Sequence, residues 1–181
     1  TQADEDMLQN FNLLISTSRR NERNACSEIW YLLGEIGDKN SEATTTGIIG
    51  LTVAQTSLNP KEVTRKLRAV LREKPWEIKY ILKVVPIDSL VPASIEDVAK
   101  AAMELSKGID ENQKFRVTVE KRRSKLSSRE IIEAVAKNVD RKVDLETPDK
   151  IILIEIVGQT AGVSLLEPDD ILSVEKERRS L

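Results

Sequence analysis

The stretch IILIEIVGQTAGVSLL, Ile151 to Leu166, limits the possible folds more than any other part of the chain. Its first arm is apolar at every position except Glu155. A strand with one wet face shows a polar residue at every second place. This arm does not, so both of its faces are covered and it belongs in the middle of a sheet. Gly158 to Gly162 contains a turn, and the second arm returns as the partner strand of a hairpin.

The segments before the hairpin supply its neighbours. Ser94 is placed to cap a helix carrying Ile95, Val98, Ala99, Ala102 and Leu105, which Gly108 ends. Phe115, Val117 and Val119 alternate with Arg116, Thr118 and Glu120 on a strand. The run SSRE, Ser127 to Glu130, is a capping box opening a helix with Ile131, Ile132, Val135, Ala136 and Val139 on one stripe. VDLETPD then makes a turn into the hairpin.

The first half has another rhythm. Phe11–Thr17 reads as a strand. Ala25, Ile29, Leu32, Leu33 and Ile36 form a helical stripe that stops at Gly37. DKNSEATTT follows as a polar loop with room for a short edge strand, and Ile48–Gln55 then reads as a strand. Asn59, Pro60 and Glu62 open a helix with Val63, Leu67, Val70 and Leu71 on its stripe. That helix stops before Pro75, and Ile78–Val85 is a third strong strand. This order is that of a ferredoxin-like sandwich with its fourth strand unplaced. Residues 86–93, with Pro86 and Pro92, mark a boundary.

Composition removes most chemistry. The chain has no histidine, which deprives it of the commonest general base and metal ligand. Its one cysteine, Cys26, sits beside apolar helix positions and reads as a buried small residue in a reducing compartment. No phosphate-binding glycine loop or dinucleotide fingerprint occurs, since the glycines of GEIGDKN follow a helix. The acidic clusters Asp4-Glu5-Asp6 and Asp169-Asp170 read as solvated surface. The expectation is no catalytic residues, no metal and no cofactor. No apolar run is long enough to span a bilayer, and the acidic N-terminus does not resemble a signal peptide, so a cytoplasmic protein is expected.

Charge is concentrated rather than abundant. The formal net charge is -2, yet residues 114–129 hold seven basic residues against Glu120 alone, a local +6. Lys121, Arg122, Arg123, Lys125 and Arg129 gather where a strand gives way to a helix. Two readings stand. One is a solvated loop. The other is a phosphate site, in which a compact positive field meets the free amides of a helix start, with Ser124, Ser127 and Ser128 adding hydroxyl donors. The scarcity of aromatic residues argues against base stacking and for recognition of backbone and shape. Arg19, Arg20 and Arg23 form a weaker second group, interrupted by Glu22.

The strand FRVTVEKR, the helix SSREIIEAVA and the run VDLETPDKIILIEIVGQTAGVSLL together resemble a THUMP domain over about residues 94–167. The VDLxxPD turn and the apolar strand holding Glu155 carry the likeness. Residues 11–88 resemble the ferredoxin-like domain that precedes THUMP domains. The resemblance implies an α/β (α+β) chain that binds tRNA near its acceptor-stem end, with Lys121, Arg122, Arg123, Ser127, Ser128 and Arg129 matching the basic segment and serine-rich helix start of the family. Because the chain ends soon after the hairpin, no fused catalyst is expected. LLEPDD and KPWE add a likeness to the stand-alone members that assist an RNA cytidine acetyltransferase in forming N4-acetylcytidine. The expected organisation is a disordered stretch over 1–10, a ferredoxin-like domain over 11–88, a THUMP domain over 89–170 and a charged tail over 171–181.

Overall fold

The computed structural model describes residues 2–181 and divides into two units. The first holds the chain up to Ile87 together with Asp170–Leu181, and the second holds Asp88–Asp169.

In the first unit a short helix, α1 (Gln2–Met7), precedes β1 (Leu13–Thr17), α2 (Glu22–Glu35), β2 (Glu42–Thr45), β3 (Leu51–Gln55), α3 (Pro60–Glu73) and β4 (Ile81–Pro86). The strands pair antiparallel in the order β4-β1-β3-β2, which is the ferredoxin-like arrangement. The predicted stripes of α2 and α3 are the buried ones. Ala25, Ile29, Leu33, Val63, Leu67 and Leu71 join Leu13, Ile15 and Val84 in a single core. Asn59 caps α3 by accepting from the amides of Lys61 at 2.9 Å and Glu62 at 3.4 Å.

The unplaced fourth strand is β2. Its sequence, EATT, is short and polar because it lies at the sheet edge and pairs only with β3. The strand expected from Ile48 starts only at Leu51, since Ile48–Gly50 form the hairpin turn. Gly50 has φ +75, and a Cβ there would stand 2.8 Å from the Thr17 carbonyl oxygen. The strand expected from Ile78 starts at Ile81, after a 3-10 turn over Pro75–Glu77. Asp38, just past the Gly37 stop, is buried. It accepts from the Ser57 amide at 2.8 Å, the Ser57 hydroxyl at 2.7 Å, the Asn40 amide at 3.0 Å and the Thr56 hydroxyl. Burial pushes its carboxyl up, but these four donors outweigh it and hold the pKa below the ordinary value.

The second unit runs β5 (Ser89–Pro92), α4 (Ile95–Leu105), β6 (Lys114–Arg122), α5 (Ser128–Ala136), β7 (Lys142–Val143), β8 (Lys150–Val157) and β9 (Thr160–Leu166). Its sheet order is β5-β9-β8-β6-β7, with β6 parallel to β7 and β8 and the β8–β9 hairpin antiparallel. The apolar strand is therefore central, and Ile151 to Ile156 are all buried. Ile152, Ile154 and Ile156 share one face with Phe115, and α4 and α5 cover it through Val98, Ala102, Ile131 and Val135. Gly158 opens the two-residue hairpin turn with φ +62. The stretch around Pro86 and Pro92 is not a bare linker. Pro86 ends β4, and Pro92 ends β5 at the sheet edge, where a missing amide is tolerated.

VDLETPD fastens the far end of β6. Asp144 accepts from the amides of Thr147 at 2.9 Å and Glu146 at 3.0 Å, and these bonds hold its carboxyl below the usual range. The Asp149 carboxylate takes the Lys114 amide at 2.8 Å, and the Asp144 amide donates to the Phe115 carbonyl at 2.9 Å.

Both ends of the chain depart from expectation. The N-terminal stretch is helical, and Met7 is buried as α1 packs on β2 and β3. The C-terminal segment is not a loose tail. It returns to the first unit as β10 (Leu172–Ser173), paired with β4, and α6 (Val174–Arg179). Leu172 and Val174 enter the core. Glu177 meets Arg68 at 2.8 Å and Arg72 at 3.1 Å, and Arg178 donates to the carbonyls of Pro75 and Ile78. Two apolar residues among so many charges gave too little pattern to announce this packing.

Candidate nucleic-acid interface

The basic corner begins where β6 leaves the sheet. Residues in register share a face, so Lys121, opposite Ile156, lies on the side that α4 and α5 cover, whereas Arg122, opposite Val157, lies on the other. This one-residue alternation splits the cluster.

Arg122 is withdrawn from it. Its guanidinium stands 2.6 Å from Glu155, whose side chain is only 2% exposed. Glu155 is the single carboxylate in the apolar strand, and a buried carboxylate needs a paired cation. Arg122 supplies it, so its role is set by the fold. The Arg122 carbonyl also accepts from the Gly158 amide at 2.9 Å, which ties the corner to the hairpin tip.

Lys121 bends back. Its ammonium donates to the Leu126 carbonyl at 2.6 Å and closes the loop over residues 121–126. Ser124 accepts from the Leu126 amide at 3.2 Å within that loop. Arg123 sits at the apex with φ +54, a left-handed conformation uncommon for a side chain of its size. Lys125 is exposed.

α5 then starts as expected, with one half of the capping box. The Ser127 hydroxyl accepts from the Glu130 amide at 3.2 Å, while the Glu130 side chain stays in solvent. Ser128 is the first helical residue. Arg129 is exposed and pairs with Glu133, one turn on, at 3.0 Å, an exchangeable surface contact. Apart from Lys121, the exposed cations of the corner are Arg123, Lys125 and Arg129, beside the hydroxyl-bearing start of α5. Together they present cations and helix-start polarity on one corner, suited to a polyanion.

The second basic group occupies the corner between β1 and α2. Arg20 has φ +74, and Arg20 and Arg23 line a hollow of about 310 Å³ with Glu22, Thr45, Gly47, Ile48 and Ile49. Glu22 accepts from the Gly50 amide at 3.0 Å. That amide chiefly, with Arg19 contributing, holds its carboxyl below the ordinary pKa. An anion therefore stands fixed among these arginines.

Other reactive groups are quiet. Burial pushes the Cys26 thiol up to about 11, so it stays protonated at neutral pH. Among the described residues no three His, Cys, Asp or Glu side chains gather in a way that could hold a metal ion, and no helix is long and apolar enough to cross a membrane.

Residues 92–166 match the family model of the THUMP domain, so this part of the chain is a THUMP domain. No curated protein matches the chain. Solved structures share its fold. PH1313 from Pyrococcus horikoshii Ot3 aligns with a TM-score of 0.64 at 22% identity, over 87% of this chain and 55% of its own. TrmN from Thermus thermophilus aligns at 0.53 and 16% identity, over 84% and 44%. A 4-thiouridine synthetase, solved as an RNA complex with bound ATP, aligns at 0.53 and 16% identity, over 91% and 42%. The chain thus spans about half the length of the solved proteins it matches, or less.

Proposed function

We propose that the chain is a non-catalytic tRNA-binding adaptor that presents tRNA to an RNA cytidine acetyltransferase for N4-acetylcytidine formation. The THUMP domain over 92–166 carries the reading, because it places the basic corner in a domain type associated with tRNA modification. Arg123, Lys125 and Arg129 contact phosphates near the acceptor-stem end, and the start of α5 adds backbone donors. Arg19, Arg20 and Arg23 contribute less, because Glu22 offsets them. The adaptor accelerates by position alone, holding a nucleotide of the tRNA where the enzyme can reach it.

Reconstitution tests this. With purified acetyltransferase, tRNA, acetyl donor and ATP, adding this chain should raise tRNA acetylation well above the enzyme alone. Equal rates with and without it would contradict the adaptor reading.

A second reading has one observation in its favour. A solved structure with this fold is a thiouridine synthetase and spans more chain than this one. On that reading the two units are the recognition half of a tRNA-modifying enzyme that methylates or thiolates. Thiolation or methylation of tRNA that depends on this chain, with acetylation unaffected, would favour it.

A further inference from the structure

The tip of the β2–β3 hairpin has an unusual composition. Residues 46–50 read TGIIG, so two isoleucines stand where a turn ordinarily carries Gly, Asn, Asp or Ser. Gly47 and Gly50 take the positive φ of the turn, +78 and +75. Ile48 is half-buried, but Ile49 is 63% exposed and adds nothing to the core. A single exposed apolar residue needs no explanation by itself. This one borders a hollow.

That hollow is the one of about 310 Å³ described above, bounded by Ile48 and Ile49 from the hairpin and by Arg20, Glu22 and Arg23 from the β1–α2 corner. Its size falls at the lower end of small-ligand sites, ~300–1,000 Å³. The two loops around it are fixed to each other. The Thr17 amide donates to the Gly50 carbonyl at 2.9 Å, and the Gly50 amide donates to Glu22 at 3.0 Å. The tip is held too, since the Thr46 hydroxyl donates to the Leu51 carbonyl and accepts from the Ile48 amide, both at 3.0 Å.

The lining discriminates among ligands. A bare phosphate meets Arg20 and Arg23 but also the Glu22 carboxylate, and it leaves the isoleucines uncovered. An apolar side chain covers the isoleucines but strips water from two guanidiniums and a carboxylate. An acidic peptide meets Glu22, and a basic one meets the arginines. An unpaired nucleotide suits every group. Its base is flat and apolar on its faces, its edge carries N–H donors, and its phosphate is an anion. None of the lining residues is aromatic, but a base also stacks on a guanidinium plane. The Glu22 carboxylate has lone pairs left after accepting from Gly50.

We propose that this hollow receives one unpaired nucleotide of RNA, with its base between Ile49 and an arginine guanidinium and its amino group on Glu22. The carboxylate that weakens this corner for phosphate is then the group that suits it to a base. The inference rests on the tRNA-binding part of the adaptor reading.

Titrating the whole chain with short oligocytidylate, with oligouridylate of the same length and with a fully paired RNA duplex tests it. Uracil has no amino group, so oligouridylate should bind several-fold more weakly than oligocytidylate. Ile49→Ser removes the apolar wall at an exposed position and leaves the charge unchanged. It should weaken oligocytidylate binding about fivefold or more. Duplex affinity, the slope of affinity against salt and the melting temperature should all stay at wild-type values. Wild-type oligocytidylate affinity in this variant, an equal loss for strand and duplex, or equal binding of the two oligonucleotides would overturn the base site and leave tRNA binding at the β6 corner standing. A variant that loses affinity for the acetyltransferase while its RNA binding holds would assign the hairpin tip to protein instead. A wild-type chain that binds neither these RNAs nor tRNA overturns both readings.

Discussion

The two strand-to-helix corners that carry the arginines are built alike up to a point. Each places an arginine in left-handed backbone just past a strand, Arg20 after β1 and Arg123 after β6. They are the only non-glycine residues with positive φ among those described. Beyond that they diverge. The β1 corner fixes Glu22 among its cations through the Gly50 amide, and its helix begins at Asn21 without a side-chain cap. The β6 corner has no acid between Lys121 and Arg129, and Ser127 caps its helix. It also gives up Arg122 to Glu155 and bends Lys121 onto Leu126. Charge counted along a sequence is therefore not the charge offered to a ligand. Neighbouring residues decide how much remains.

Substitutions sharpen this contrast. The largest expected effect is at Arg122. Arg122→Ala removes the guanidinium 2.6 Å from buried Glu155 and should cost up to about 3–5 kcal/mol in urea unfolding. Replacing the pair together, Arg122→Met with Glu155→Leu, should recover most of that loss and leave tRNA affinity near wild type. Ser127→Ala removes the α5 cap and should cost about 1 kcal/mol, with no counterpart at the uncapped β1 corner. Arg20→Gly and Arg123→Gly each relieve left-handed backbone and should change stability by at most about 1 kcal/mol, toward greater stability. The second should weaken tRNA binding more than the first. The smallest effect is at Glu22. Glu22→Gln removes one negative charge from the β1 corner and should raise tRNA affinity about twofold at low salt. Acid should act in the same direction. The Glu22 pKa is lowered on folding, so its stabilising contribution is complete above the ordinary value of 4.5 and is lost as pH falls through the lowered one.

Much of the fold could be read because its signals were periodic. The stripes of α2, α3, α4 and α5, the Asn59, Ser94 and Ser127 caps and the central β8 all follow from spacing that one face of packing enforces. What the sequence hid was short or borrowed. β2 has four residues at an edge, and β10 has two. α6 looks like a charged tail because its stabilisation comes from Arg68 and Arg72, more than a hundred residues earlier. The corner was visible as charge, but its division was not. Alternation along β6 would have placed Arg122 with Arg116, Thr118 and Glu120, and Glu155 was already conspicuous as the one carboxylate in an apolar strand. Their pairing needed the β6–β8 register, which no local pattern sets.

The central claim is that the β6 corner grips phosphate through Arg123, Lys125 and Arg129. Affinity for tRNA measured across a range of salt concentrations tests it most directly. Each lost phosphate contact should remove roughly 0.7–0.9 from the slope of log affinity against log salt. Arg123→Ala, Lys125→Ala and Arg129→Ala combined should flatten that slope by about 2 with an unchanged melting temperature, and the matching triple at Arg19, Arg20 and Arg23 should change it less. A slope unaltered by the first triple, or altered more by the second, would contradict the account.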